Sequence, residues 1–128
     1  MSATPTTSYT VVHAVSGLVP AADLTGKMGY AVEIGTGGTV NVCDSQGEVG
    51  FVLLSEATTA GLVTIGIVGT GPIKVDGVYA IGQKLTPGTD GKWETAASGD
   101  YVGAILIEAS TADGDMVRAI FGQFGQLN

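Results

Sequence analysis

The 128 residues fit one domain and leave little room for a second. Hydrophobic residues make up 45% of the chain and charged ones only 13%, so a disordered chain is excluded and solubility must rest on Gly, Ser and Thr in turns and on strand faces. Five scattered bases against twelve acids give a net charge of −7, which excludes the clustered cationic footprint of a nucleic-acid binder.

The single cysteine, Cys43, allows no internal disulfide and suits a reducing cytoplasm; a buried, inert thiol is expected. No stretch approaches the roughly 18 consecutive apolar residues of a membrane helix, and no basic residue precedes an apolar run at the N-terminus, so neither membrane insertion nor secretion is expected.

In chain order, residues 1–22 form the first unit, because no Asp, Glu, Lys or Arg occurs before Asp23. Met1–Thr10 is rich in Ser and Thr and contains Pro5, while Tyr9-Thr10-Val11-Val12 has the aromatic and β-branched character of a strand. The segment reads as an extended arm leading into a first strand, with a frayed terminus as the plainer alternative. Residues 23–128 then read as one β domain. Short apolar runs at Tyr30–Ile34, Thr39–Cys43, Val49–Leu54, Leu62–Val68, Val78–Ile81, Tyr101–Ile107 and Met116–Phe121 alternate with Gly-containing breaks. Gly35-Thr36-Gly37-Gly38, Asp76-Gly77 and Asp90-Gly91 have hairpin-turn chemistry, and Pro87-Gly88 punctuates the approach to the last. Helix signals are confined to Ser16–Leu24 and Ser55–Ala60, each short enough to be one turn or a loop. The fold class expected is all-β: a compact β-barrel or β-sandwich-like single domain with an extended N-terminal arm.

An internal echo supports that reading, since Gly50–Gly61 resembles Gly103–Gly114 without gaps at an offset of 53. The implied unit, used twice, is a buried strand, a polar crossover rich in Ala and Thr, and a returning strand; two copies are too few for a solenoid.

Several phrases together carry a family resemblance. Lys27-Met28-Gly29-Tyr30-Ala31-Val32, Gly50-Phe51-Val52-Leu53, Ala60-Gly61-Leu62-Val63-Thr64-Ile65, Ile81-Gly82-Gln83-Lys84-Leu85-Thr86, and Gly103–Ala109 followed by Ala112-Asp113-Gly114-Asp115-Met116-Val117 stand in an order that resembles small decoration, or cement, proteins of tailed-bacteriophage heads. The resemblance spans about residues 25–121. It implies a compact β fold and a structural, non-enzymatic virion protein on the capsid exterior, made in the host cytoplasm. The implied partners are the major capsid protein and further copies of itself, as a homotrimer at threefold positions, with no nucleic acid, membrane or cofactor involved. A β-domain of a phage tail, baseplate or spike, or a carbohydrate-binding module, is the competing class.

Catalytic readings find little support in the residues. The only histidine, His13, lies in the arm or first strand and no Gly-x-Ser-x-Gly elbow occurs, so a nucleophile triad is not expected. One Cys and one His do not make a usual zinc set. Asp113-Gly114-Asp115 lacks the 12-residue calcium pattern and reads as a tight acidic turn. Glu56 and Glu108, near-equivalent in the echo, are the tempting carboxylate pair but read more simply as solvated crossover residues. Gly69-Thr70-Gly71-Pro72-Ile73-Lys74 lacks Walker spacing and reads as a loop, and Trp93, which follows the Asp90-Gly91 turn, reads as an anchor of that hairpin or of a subunit contact. Capsid recognition is therefore expected on the uncharged arm, at Pro5, Thr6, Thr7, Tyr9, Thr10 and Val11. Its strand-forming end could add to a sheet edge of the shell.

Overall fold

A computed structural model describes residues 9–128. Among them there is no helix: nine strands form one antiparallel sheet that curls into a half-barrel, as the all-β reading requires. The strands are β1 (Thr10–Leu18), β2 (Ala31–Ile34), β3 (Val40–Val42), β4 (Phe51–Leu53), β5 (Val63–Lys74), β6 (Lys84–Pro87), β7 (Trp93–Thr95), β8 (Ala104–Leu106) and β9 (Met116–Phe121). They lie in the order β3-β2-β4-β5-β9-β8-β6-β7, with β1 attached to β5 off that path.

The echo turns out to be larger than one strand and its return. Adding 53 to Ala31–Ile34 gives Lys84–Pro87, and the same step takes β3 onto β7, β4 onto β8 and Val63–Val68 of β5 onto β9. With those replacements the strand order reads the same from either end, so two four-stranded halves meet at the β5–β9 ladder. Registers follow the same rule: Val32↔Val42 corresponds to Leu85↔Thr95, and Ala31↔Val52 to Lys84↔Ile105. Only the last ladder slips by one residue, Leu53↔Ile65 against Leu106↔Ala119.

Turns repeat as well. Gly38 N–H donates to Gly35 O at 2.9 Å and Gly91 N–H to Gly88 O at 3.1 Å, with φ of 77° and 81° at the two turn-closing glycines. Positive φ there would strain any residue with a Cβ, so both halves put Gly at the same place.

The core joins the halves through side chains from both. One cluster gathers Ala31, Cys43 and Val52 from the first half with Leu85, Trp93, Leu106 and Phe121 from the second, and a smaller one holds Leu24, Val32, Val40, Leu53, Val63 and Ile65. Trp93 is fully buried, and its Nε1–H donates to Gly29 O at 3.2 Å. It therefore bridges the two halves, beyond anchoring its own hairpin, and it is not a surface contact.

Two sequence readings are corrected. Val78–Ile81 is no strand but a loop, with Val78 70% and Ile81 68% exposed. Gly69–Lys74 is not a loop but the second half of β5, where Pro72 pairs with Arg118. Of the two weak helix signals, Ser55–Ala60 is turn and loop, while Ser16 to Leu18 end β1, where Gly17 takes a φ of 75°.

Candidate functional site

β1 is the one strand whose side chains lie largely outside the core. Seven of its nine residues are exposed, Val12 most of all at 79%, and among the described residues β5 is its only strand partner, so no ladder is formed there along its other edge. Exposed Val12, Val15 and Val68 lie along this ribbon, and no charged carboxylate, ammonium or guanidinium group occurs in β1. An uncharged edge strand with unpaired main-chain groups is a template for a further strand; bulges are one of the usual devices that blunt it. Here the register shifts three times, between Val11 and His13, between His13 and Ala14, and between Val15 and Leu18.

The arm residues named from the sequence divide in two. Pro5, Thr6 and Thr7 lie outside the described residues. Tyr9, Thr10 and Val11 are seated on the chain's own β5, with Thr10 opposite Thr70 and Val11 opposite Gly69. Tyr9 is the anchor: its hydroxyl donates to Pro72 O at 2.6 Å, and its ring meets Phe121 edge-on, 6.2 Å between centroids. Burial raises the phenol pKa above its ordinary value, because the phenolate would lose hydration it cannot replace there. Gly71 and Gly69 make the room. A Cβ at 71 would overlap the Tyr9 ring, and one at 69 would lie 2.6 Å from Thr10 O.

A second feature has no local sequence motif. Glu33, Asp44 and Glu48 each bring a carboxylate oxygen within 4.8 Å of the others, and Glu48 Oε1 is buried without a hydrogen-bond partner. Desolvation, followed by the Glu48 and Asp44 carboxylates, pushes the Glu33 pKa up to about 7. Cys43 is buried as expected, and burial, then Glu48, raises its thiol pKa. The cluster breaks the internal symmetry: 53 residues on, the equivalent positions are Thr86, Ala97 and Tyr101.

The other singled-out acids serve the backbone. Glu56 accepts from Gly26 N at 2.8 Å and Met28 N at 3.4 Å, while Glu108 accepts from Arg118 N at 2.9 Å. Asp115 accepts from the amides of Thr111 and Ala112 at 2.8 and 3.1 Å, and Asp113 pairs with Lys92 at 3.1 Å, so the acidic turn is internally satisfied. His13 is exposed on β1, opposite Val68.

The described residues of this chain match no family model, no curated protein and no solved structure.

Proposed function

We propose that the protein is a structural virion component that binds the exterior of a phage capsid, with the major capsid protein and further copies of itself, as a trimer, for partners. The observation that carries the reading beyond the sequence resemblance is β1. A domain of net charge −7 presents one long, uncharged strand that is exposed on most of its side chains and, among the described residues, unpaired along one edge. Such an edge is suited to main-chain pairing with an extended segment of a shell subunit, and its affinity depends little on ionic strength. The carbohydrate-binding alternative has less to stand on: aromatic residues make up 6% of the chain and Trp93 is fully buried, which leaves Tyr101 and Phe124 as the large exposed rings among the described residues.

The test is direct. Purified protein is added to undecorated heads and the particles are imaged by electron microscopy. Density on the outer shell at threefold positions is expected; empty shells at saturating protein, or density confined to tails, would overturn the assignment. Deleting residues 2–10 in a chain that keeps its circular dichroism spectrum is expected to lower occupancy, and full occupancy would remove the arm from recognition.

A further inference from the structure

We propose that β1 exchanges between copies of this chain, so that residues 9–16 of one copy occupy the seat on β5 of another. The first support is that β1 is only lightly tied to the core: seven of its nine residues are exposed, only Val11 and Leu18 of the strand pack against the core clusters, it has one partner strand among the described residues, and its ladder is interrupted three times. A strand in that position is held by main-chain hydrogen bonds and by its anchor.

The anchor defines the occupant. Tyr9 enters a notch formed by Gly71, the carbonyl of Pro72 and the ring of Phe121, and Gly69 lets the backbone of Thr10 and Val11 lie close against β5. The notch is cut for this arm, and every copy of the chain carries the same arm. A second copy therefore satisfies the seat contact for contact, and the exchange itself forfeits none of them.

The chain also has a place to turn. Gly17 has a φ of 75° and open space where its Cβ would be, and it stands just before residues pinned to the body. Val19 O accepts from Val40 N at 2.9 Å and Ala21 N donates to Val40 O at 2.7 Å, so the segment after the hinge stays while the strand before it swings. Eight extended residues reach about 26 Å. Because that arm carries none of the twelve acids, it can link two bodies of net charge −7 without pressing their carboxylates together. Contacts being conserved, concentration decides the balance, and copies held side by side at about millimolar effective concentration favour exchange. The inference needs no shell and stands apart from the proposed function.

Thr10 lies opposite Thr70, which gives a covalent test. The full chain carrying C43S, T10C and T70C is oxidised at about 1 mM, in the effective-concentration range above, and run on a non-reducing gel. Cross-linked dimers or closed rings are expected; bridges formed only within single chains would overturn the proposal. Light scattering on the wild-type chain and on a chain lacking residues 2–16 provides the second measurement. Self-association of the wild-type chain that is lost in the truncated chain, with the fluorescence of the buried Trp93 unchanged, is expected. A wild-type chain that stays monomeric at about 1 mM, or an oligomer that survives the truncation, would overturn it.

Discussion

Gly103 and Trp93 offer a measurable test of how the two halves are packed together. A Cβ at 103 would lie 2.7 and 2.8 Å from Cζ3 and Cη2 of the fully buried Trp93 ring, about 1 Å inside ordinary carbon–carbon contact. Gly103 is not among the positive-φ glycines, so Gly103→Ala tests the overlap rather than backbone strain. Overpacking of this kind costs about 1–3 kcal/mol, and the smaller entropy of an unfolded Ala returns roughly 0.4–1, which leaves a net loss between about 0 and 2.6 kcal/mol, centred on about 1.3. At that centre the fall in Tm is roughly 4–6 °C. Trp93→Phe deletes the two overlapped atoms and the indole donor; Gly29 O still accepts from Lys74 N at 3.0 Å, so no carbonyl is orphaned. In the double variant the penalties should therefore be less than additive, with a coupling of about 0.5 kcal/mol or more. Gly37→Ala, in open space and without positive φ, is the control and should be neutral or slightly stabilising. Chemical denaturation of the four chains of the cycle decides the matter: additive losses, or a Gly103→Ala chain as stable as the parent, would refute the packing argument.

Protonation of Glu33 gives a second expectation. With a folded pKa near 7 against an ordinary 4.5, the folded state holds a proton that the unfolded chain releases, so this contribution is present at low pH and is lost as pH rises from about 4.5 through 7. The raised Glu94 acts in the same direction, through burial first and the neighbouring acids second. Glu33→Gln should flatten that part of the stability profile measured by denaturant titration at fixed ionic strength. Asp23 and Asp115, lowered by the hydrogen bonds their carboxylates accept from Thr25 and Thr111, add the opposite slope, with stability lost as pH falls below the ordinary carboxylate range. Cys43, buried beneath the acidic cluster, should resist thiol reagents in the folded chain at pH 8 and react fully in denaturant. Raising salt from 50 to 500 mM should change occupancy of added protein on undecorated heads by less than about tenfold, since the arm has no charges to screen.

The sequence displayed the fold class and most of the strands, because Ala31–Ile34, Val40–Val42, Phe51–Leu53 and Met116–Phe121 are short β-branched or apolar runs between turn residues. The Asp90-Gly91 turn announced the hairpin of β6 and β7, but its strands were hidden by their composition. Lys84-Leu85-Thr86-Pro87 and Trp93-Glu94-Thr95 are not apolar runs, and the 53-residue offset to Ala31–Ile34 and Val40–Val42 is what shows their extent. Val78–Ile81 misled in the opposite sense. Its apolar side chains face solvent while Tyr79 is tied to the Asp76 carboxylate and, through its amide, to Ser110 Oγ at 2.8 Å. Pro72 suggested a break, yet a proline can stand in a strand where its missing N–H is not needed, and here it faces Arg118. The carboxylate cluster was illegible for a geometric reason: Glu33 arrives on β2 and Asp44 and Glu48 on the chain after β3, and antiparallel pairing rather than spacing brings them together.

What the two halves share and what they do not share separates structure from function in this molecule. The shared set is the ladders, the Gly35–Gly38 and Gly88–Gly91 turns, and the close-packed Gly50 and Gly103, whose added Cβ atoms would meet Pro87 at 2.6 Å and Trp93 at 2.7 Å. Each of these is a requirement of packing, and a change in any of them should act through stability. The unshared set is the acidic cluster at Glu33, Asp44 and Glu48 and the mostly exposed strand β1. Neither contributes a fully buried core residue, and the cluster brings like charges together at a cost to folding near neutral pH. Features that a repeated core does not require, and that carry such a cost or expose an unpaired edge, are where an interaction outside the chain has the most to act on. Of the two, β1 has the geometry of a contact: reach, an unpaired edge, no charge, and an anchor in Tyr9 that fixes its register.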